Sequence, residues 1–271
     1  MDSFTMQYGA TSDTGLKRRH NEDRFYADPA LGLYLVCDGM GGHQAGEIAS
    51  AKAVESIRDH IAAAAMDSDH PLIGVYRQEF SAPTNRLASA IRAANLAVYQ
   101  ESLRQPYYAG MGTTAASALV SGHVVSIAHV GDSRVYLIRD GTVQPLTCDH
   151  SLVSEQVRFG LLNQEEARQA SHKHVLTRAV GIAATVDVEL AEVPLLSGDL
   201  LLLCSDGLSG VTSAQMLNLT QTYSDPQDLS DALIGLSNAA GGDDNITAVV
   251  VTLTKSKSGV WARLQNRLFN D

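Results

Sequence analysis

Acidic residues recur in this sequence at the places where apolar runs stop. Asp38-Gly39 closes LYLVC, Gly131-Asp132 closes HVVSIAHV, Asp206-Gly207 follows LLLLCS, and Asp243-Asp244-Asn245 precedes ITAVVVTL. One acid at a strand end is ordinary turn chemistry. Four imply something further, because strands of one sheet set their ends side by side, about 4.8 Å apart, and their side chains can then converge. Carboxylates held that close drive one another to protonate unless a cation stands among them. Upstream, Arg18-Arg19-His20-Asn21-Glu22-Asp23 adds an acidic pair beside an arginine. Carboxylates, water and a backbone carbonyl freed at Gly39 make an all-oxygen ligand set, which suits magnesium or manganese rather than zinc. Histidines at zinc-ligand spacing are absent, and the single His-x-His, His172 and His174, reads as part of a solvated loop.

Competing chemistries fail at particular residues. Gly41-Gly42-His43-Gln44-Ala45-Gly46 has the spacing of the first six residues of a phosphate-binding loop, but Glu47-Ile48 stand where Lys and Ser/Thr are required. That puts a negative charge where a nucleotide's phosphates would lie. None of Cys37, Cys148 and Cys204 has an arginine six positions on, so a thiolate phosphatase loop is missing, and neither HExxH nor GxSxG occurs.

The elements that must position the acids are apolar runs bounded by Gly or Asp: strands over 33–37, 123–130, 135–138, 199–204 and 246–253. Asp140-Gly141 between VYLI and VQPL predicts a hairpin, hence antiparallel pairing. Alanine-rich segments with apolar spacing of three and four predict helices over 45–65 and 84–104. The LLLL run is too apolar for a sheet face open to water, so helices must cover it, which gives an α+β layered domain. Residues 149–175 are polar and poorly periodic and read as short helices in a surface excursion.

With 271 residues, 45% of them hydrophobic, the chain can bury one large core. A net charge of -10 argues against a surface for nucleic acid or anionic lipid. Three cysteines without CxxC suit a reducing compartment. Without a leader-like start or an apolar run near 18 residues, the expectation is a cytoplasmic protein with no membrane span. Past Thr254, Trp261, Leu264 and Leu268 outline a short amphipathic tail helix.

Eight ordered segments carry a family resemblance: SDTGLKRRHNED (12–23), LYLVCDGMGGHQAGEIAS (33–50), GMGTTAASAL (110–119), AHVGDSRVYLIRDG (128–141), LTCDHSL (146–152), VLTRAVG (175–181), LLLCSDGLSG (201–210) and GGDDNITAVVV (241–251). Together they resemble the metal-dependent serine/threonine protein phosphatases, the 2C-like or PPM family, in its bacterial form. The resemblance implies a four-layer αββα sandwich, two antiparallel sheets between helix pairs, with a catalytic domain over 1–254, a flap near 150–175 and a tail over 255–271. It implies two Mg²⁺ or Mn²⁺ ions at one edge of the sandwich. Asp38 would bridge them, the Gly39 carbonyl would bind the second ion, and Asp206 and Asp244 would complete the first. Glu22 and Asp23 would hold and orient bound water, Asp132 would share a third, weaker ion with Asp206, and Arg18 would grip the substrate phosphate.

The implied reaction is hydrolysis of phosphoserine and phosphothreonine on proteins by a hydroxide shared between the two ions, without a phosphoenzyme. The implied partners are phosphorylated proteins and an opposing bacterial Ser/Thr kinase, and the implied form is a monomer. A catalytically silent phosphoprotein binder of the same fold is the alternative, and such a protein should have lost metal ligands. Other branches of the family carry His directly after Asp-Gly as general acid. Here Met40 stands there, which leaves His43 or bound water for that role. Asp13, Asp149 and Arg134 read as turn caps and ties, Thr113 and Thr114 as strand residues under the site, and Asp243 as a neighbour behind Asp244.

Overall fold

Burial with a period of two along the apolar runs decides the layering. In the computed structural model, which describes residues 4–41, 45–172 and 174–255, the run at 33–37 splits cleanly. Leu33, Leu35 and Cys37 pack towards a helical pair, whereas Tyr34 and Val36 pack towards a second sheet. The run at 200–204 does the same: Leu201 and Leu203 face the other sheet, and Leu202 and Cys204 face a second helical pair. Strands buried on both faces read as unbroken apolar runs, and each fully buried leucine contributes about 2 kcal/mol.

Among the described residues the order is β1 (Phe4–Asp13), β2 (Asp23–Asp28), β3 (Leu33–Met40), α1 (Ala45–Met66), α2 (Ala82–Arg104), β4 (Gly112–Thr113), β5 (Ala115–Ser121), β6 (Val124–Val130), β7 (Arg134–Arg139), β8 (Thr142–Pro145), α3 (Leu152–Arg158), α4 (Gln164–Gln169), β9 (Glu189–Pro194), β10 (Leu200–Cys204), α5 (Ser213–Thr222), α6 (Pro226–Ala239) and β11 (Ile246–Lys255). One sheet has the order β1-β11-β10-β7-β8, the other β2-β3-β5-β6-β9 with β4 on β3. All pairings are antiparallel. Helices α1 and α2 cover the second sheet and α5 and α6 the first, so the expected αββα sandwich is what the chain forms.

Each strand and helix predicted between residues 33 and 253 is present. Ala45, Ala49, Ala53, Ile57 and Ile61 line up along α1 against Leu87, Ile91, Ala94 and Val98 of α2, the small residues letting the two helices approach closely. The β7–β8 hairpin turns at Asp140 and Gly141, whose φ values of 49° and 71° are those an Asp-Gly turn favours. One boundary differs: β3 does not stop at Cys37 but continues to Met40, with Asp38 paired to Asp23 of β2 and Gly39 to Thr113 of β4. Asp38 therefore sits inside a strand held on both sides rather than in a turn. The excursion at 149–175 carries α3 and α4, and its base is tied by a Ser151–Leu176 bridge and by the Leu152 N–H donating to the Val175 carbonyl at 2.8 Å. The tail helix lies outside the described residues, apart from Lys255 at the end of β11.

Candidate metal centre

Strand register brings the acids together. Asp38 near the end of β3 faces Asp23 at the start of β2. Asp206 follows β10, Asp244 precedes β11, and Asp132 lies in the turn from β6 to β7, so the acids come from both sheets at one edge of the sandwich. Burial, and then the charges of Asp23, Asp206, Asp132 and Asp244, hold the Asp38 carboxyl well above its ordinary value. Burial likewise pushes Asp23 up to about 6 and Asp132 up to about 7, and it raises Asp206 and Glu22. Asp23, Asp132 and Asp206 all act on Asp38, Glu22 feels Asp244, and the carboxyls of Glu22, Asp23, Asp38, Asp132 and Asp206 are all displaced upward, which makes a strong cation trap.

The backbone under this trap is fixed by hydroxyls. The Asp38 N–H donates to Thr114 Oγ1 at 2.9 Å, and the Asp38 carbonyl accepts from the Thr113 hydroxyl and the Thr114 N–H, both at 2.8 Å. Thr113 and Thr114 are thus the strand residues under the site that the sequence suggests. Asp23 is buried with Ser205 and Thr247 each donating to Oδ2 at 2.7 Å, which orients it and partly offsets its desolvation. Its Oδ1, like Oδ1 of Asp206, is buried without a hydrogen-bond partner. Buried carboxylate oxygens left unpaired are expensive, and a hard divalent cation is the partner they fit.

A close backbone approach completes the cradle. A Cβ on Gly46, in the first turn of α1, would fall 2.8 Å from both the Gly39 carbonyl oxygen and Glu22 Cδ. Glycine there lets the Gly39 carbonyl and the Glu22 carboxyl lie together at the helix start. The Glu22 carbonyl also accepts from the Gly39 N–H and the Ser50 hydroxyl.

Other expected residues divide plainly. Arg18 reaches the site and donates to Asp244 Oδ2 at 2.7 Å. Asp13 accepts from the Gly15 N–H and from Asn238, and Asp149 forms a two-pronged pair with Arg134, so these three have the structural roles expected of them. Asp243 is exposed and pairs with Lys17 at 3.4 Å. His43 lies outside the described residues.

Two functional features escape a reading of the sequence. Asn245 staples the segment between β1 and β2 to the acid beside it: its Oδ1 accepts from the Glu22 N–H at 2.8 Å, and its Nδ2 donates to the Thr14 and His20 carbonyls at 2.9 Å. Its place next to Asp244 is the only local signal. His174 is the exposed loop residue that the sequence suggests, and it also puts Nδ1 3.9 Å from Asp206 Oδ2. His172 instead contacts Gln156 of α3 at 2.9 Å.

Comparison with known proteins agrees with this geometry. The family model described as Protein phosphatase 2C matches residues 17–250. The serine/threonine phosphatase Stp of Listeria welshimeri is 36% identical over 254 residues, covering 92% of this chain and 96% of Stp. The crystal structure of the Mycobacterium tuberculosis serine/threonine phosphatase PstP/Ppp superposes with a TM-score of 0.79 at 36% identity, covering 92% of this chain and 99% of that one. A structure of the PstP catalytic domain with two manganese ions gives the same TM-score at 34% identity, over 93% of this chain and all of that one. The eight ordered segments, the αββα sandwich and the acidic edge therefore have one explanation: this chain belongs to the protein phosphatase 2C family.

Proposed function

We propose that the chain is a metal-dependent phosphatase that hydrolyses phosphoserine and phosphothreonine esters on proteins. The observation that carries this reading is the meeting of Asp23, Asp38, Asp132, Asp206 and Asp244 at one edge, with two of their oxygens buried and unpaired. Asp38, Gly39, Asp206 and Asp244, with Glu22 and Asp23 through water, would hold two Mg²⁺ or Mn²⁺ ions, and Asp132 with Asp206 a third. When bound, such ions supply an ionised water near neutral pH and neutralise charge on the phosphoryl group.

The chain's own residues do the rest. Asp23, gripped by Ser205 and Thr247, orients water on its free oxygen. Arg18 leaves Asp244 to place its planar fork on two phosphate oxygens, a role its permanent charge suits. The departing alkoxide needs a proton, for which His174, 3.9 Å from Asp206, is an imidazole donor beside the site, and His43 is the further candidate that the sequence offers. Attack through cysteine is disfavoured by structure as well as sequence, since Cys37 and Cys204 are buried with their thiols pushed up, and the thiol of the exposed Cys148 is pushed up too.

Residues 1–254 would form the catalytic domain, working as a cytoplasmic monomer on phosphoproteins made by a Ser/Thr kinase. No helix among the described residues is long and apolar enough to cross a membrane. The test is hydrolysis of p-nitrophenyl phosphate and of a phosphothreonine peptide in Mn²⁺. Chelation should abolish both, and Arg18→Ala should chiefly raise KM, by about 10-fold or more, the scale of one charge-assisted hydrogen bond. Turnover indifferent to chelation would overturn the assignment.

A further inference from the structure

A second cluster of titratable groups lies beside the acidic edge and is not used by the chemistry above. His129 on β6, Glu189 on β9 and His150 at the flap base bring potential ligand atoms within 4.8 Å of one another. His129 and Glu189 are cross-strand partners, the His129 and His150 rings lie 4.5 Å apart, and His150 Nε2 is 3.0 Å from Glu189 Oε2. The backbone decides what this cluster is. The Gly131 N–H donates to His150 Nδ1 at 3.1 Å, so that nitrogen carries the lone pair and Nε2 carries the proton, aimed at Glu189. A metal would need the Nε2 lone pair, which this tautomer does not have. His150 and Glu189 form a hydrogen-bonded relay instead, and the His129 ring packs against His150 with both its nitrogens buried and without a hydrogen-bond partner.

The relay ends on a residue that needs an outside support. Gly131 has φ of 106°, and a Cβ there would fall 2.6 Å from Thr114 Cγ2, so only glycine fits and no side chain of its own can fix the turn. His150 takes both of its polar groups: the imidazole accepts from the Gly131 N–H, and the His150 N–H donates to the Gly131 carbonyl at 2.8 Å. Asp132 is the next residue. On its other side His150 accepts from the Thr177 N–H at 2.8 Å, immediately before the Ser151–Leu176 bridge that closes the flap base.

We infer that His150 is a positioning residue which, held in its Nε2–H tautomer by Glu189, fixes the Gly131 turn, aims Asp132 into the acidic edge, and couples that acid to the flap. The weak-ion role of Asp132 rests on the phosphatase reading; the support of the Gly131 turn does not.

The test is run on the full chain by Mn²⁺ titration calorimetry and by hydrogen exchange at the Gly131 amide, neither of which needs substrate. His150→Ala should weaken the ion that Asp132 binds by about 10- to 100-fold, the range seen when a partner supporting a ligand is lost, and leave the tight ions in place. It should also speed Gly131 exchange. His150→Asn, whose Oδ1 can stand in for Nδ1, should restore most of both. Asp132→Asn with His150→Ala should bind Mn²⁺ no more weakly than Asp132→Asn alone. If His150→Ala does not fold, Glu189→Leu, at a half-buried position, should show the same changes in weaker form.

Unchanged Mn²⁺ affinity and exchange in folded His150→Ala or Glu189→Leu would overturn the proposal. So would His150→Asn behaving as His150→Ala, or an isotherm that Asp132→Asn does not alter. A parent that shows these binding changes yet cleaves no phosphoester would overturn only the phosphatase reading.

Discussion

Strand β10 has an acid at each end, Asp199 buried and Asp206 half-buried, in opposite circumstances. Asp199, just before it, is 1% exposed and fully occupied: Arg139 donates to both its oxygens, at 2.7 and 2.6 Å, and the Leu196 N–H donates to one of them. Asp206, two residues past the other end, keeps Oδ1 buried and unpaired, with the His174 imidazole 3.9 Å from its Oδ2. Among the described residues, the buried carboxylate oxygens without a partner are those of Asp23 and Asp206, both at the acidic edge. Similar residue types flank one strand, yet one acid is complete within the fold and the other is left open for an ion. The unpaired oxygen separates the acid proposed for the metal site from the structural one.

That contrast can be broken most directly by exchanging the two defects. Asp206→Asn should lower kcat on p-nitrophenyl phosphate by about 10²- to 10³-fold or more, the scale of removing one preorganised electrostatic group. Asp199→Asn should leave kcat within about 2-fold, and equal losses in the two variants would erase the distinction. Stability should show the reverse order. In chelator, urea unfolding should find Asp199→Asn weaker by about 2 to 3 kcal/mol, because it strands a charge, though less than for a fully buried pair since Arg139 keeps some water. Asp206→Asn should be no weaker than the parent, since it removes like-charge repulsion. A comparison with and without metal sharpens the point: Mn²⁺ at about 100 times its Kd should raise the stability of the parent and of Asp199→Asn by about 2.7 kcal/mol. Asp206→Asn should gain clearly less under the same conditions.

What the sequence makes legible follows from where each element lies. β3, β10 and β11 are buried on both faces and stand out as apolar runs. β1, β2 and β9 escape such a reading because they are sheet edges with half-exposed, mixed residues. β5, AASALVS, is central, but its alanines look helical, and pairing with β3 and β6 overrides that preference. Helices α5 and α6 mix Ser, Asn, Thr and Gly among their leucines and alanines, which blurs the helical pattern. They begin at real signals, a Thr212–Gln215 capping box and an Asp225 cap before Pro226, that only a search for caps would find. At the site, the acids show in the sequence because strand ends announce them. Asn245 and His174 do not, because their roles depend on Glu22 and Asp206, far away along the chain.

The ten-residue pairing of β1 with β11 joins Phe4 to Lys255 and Asp13 to Ile246. Arg18, Glu22 and Asp23 follow the first of these strands and Asp244 precedes the second, so closing this ladder is also what brings the two ends of the active edge together. A ribosome making this chain must therefore deliver nearly all of it before the opening strand finds its mate, and loop closure over such a separation is slow. Catalytic competence then arrives with the final strand, and a nascent or truncated chain lacking residues 246–255 has no route to it.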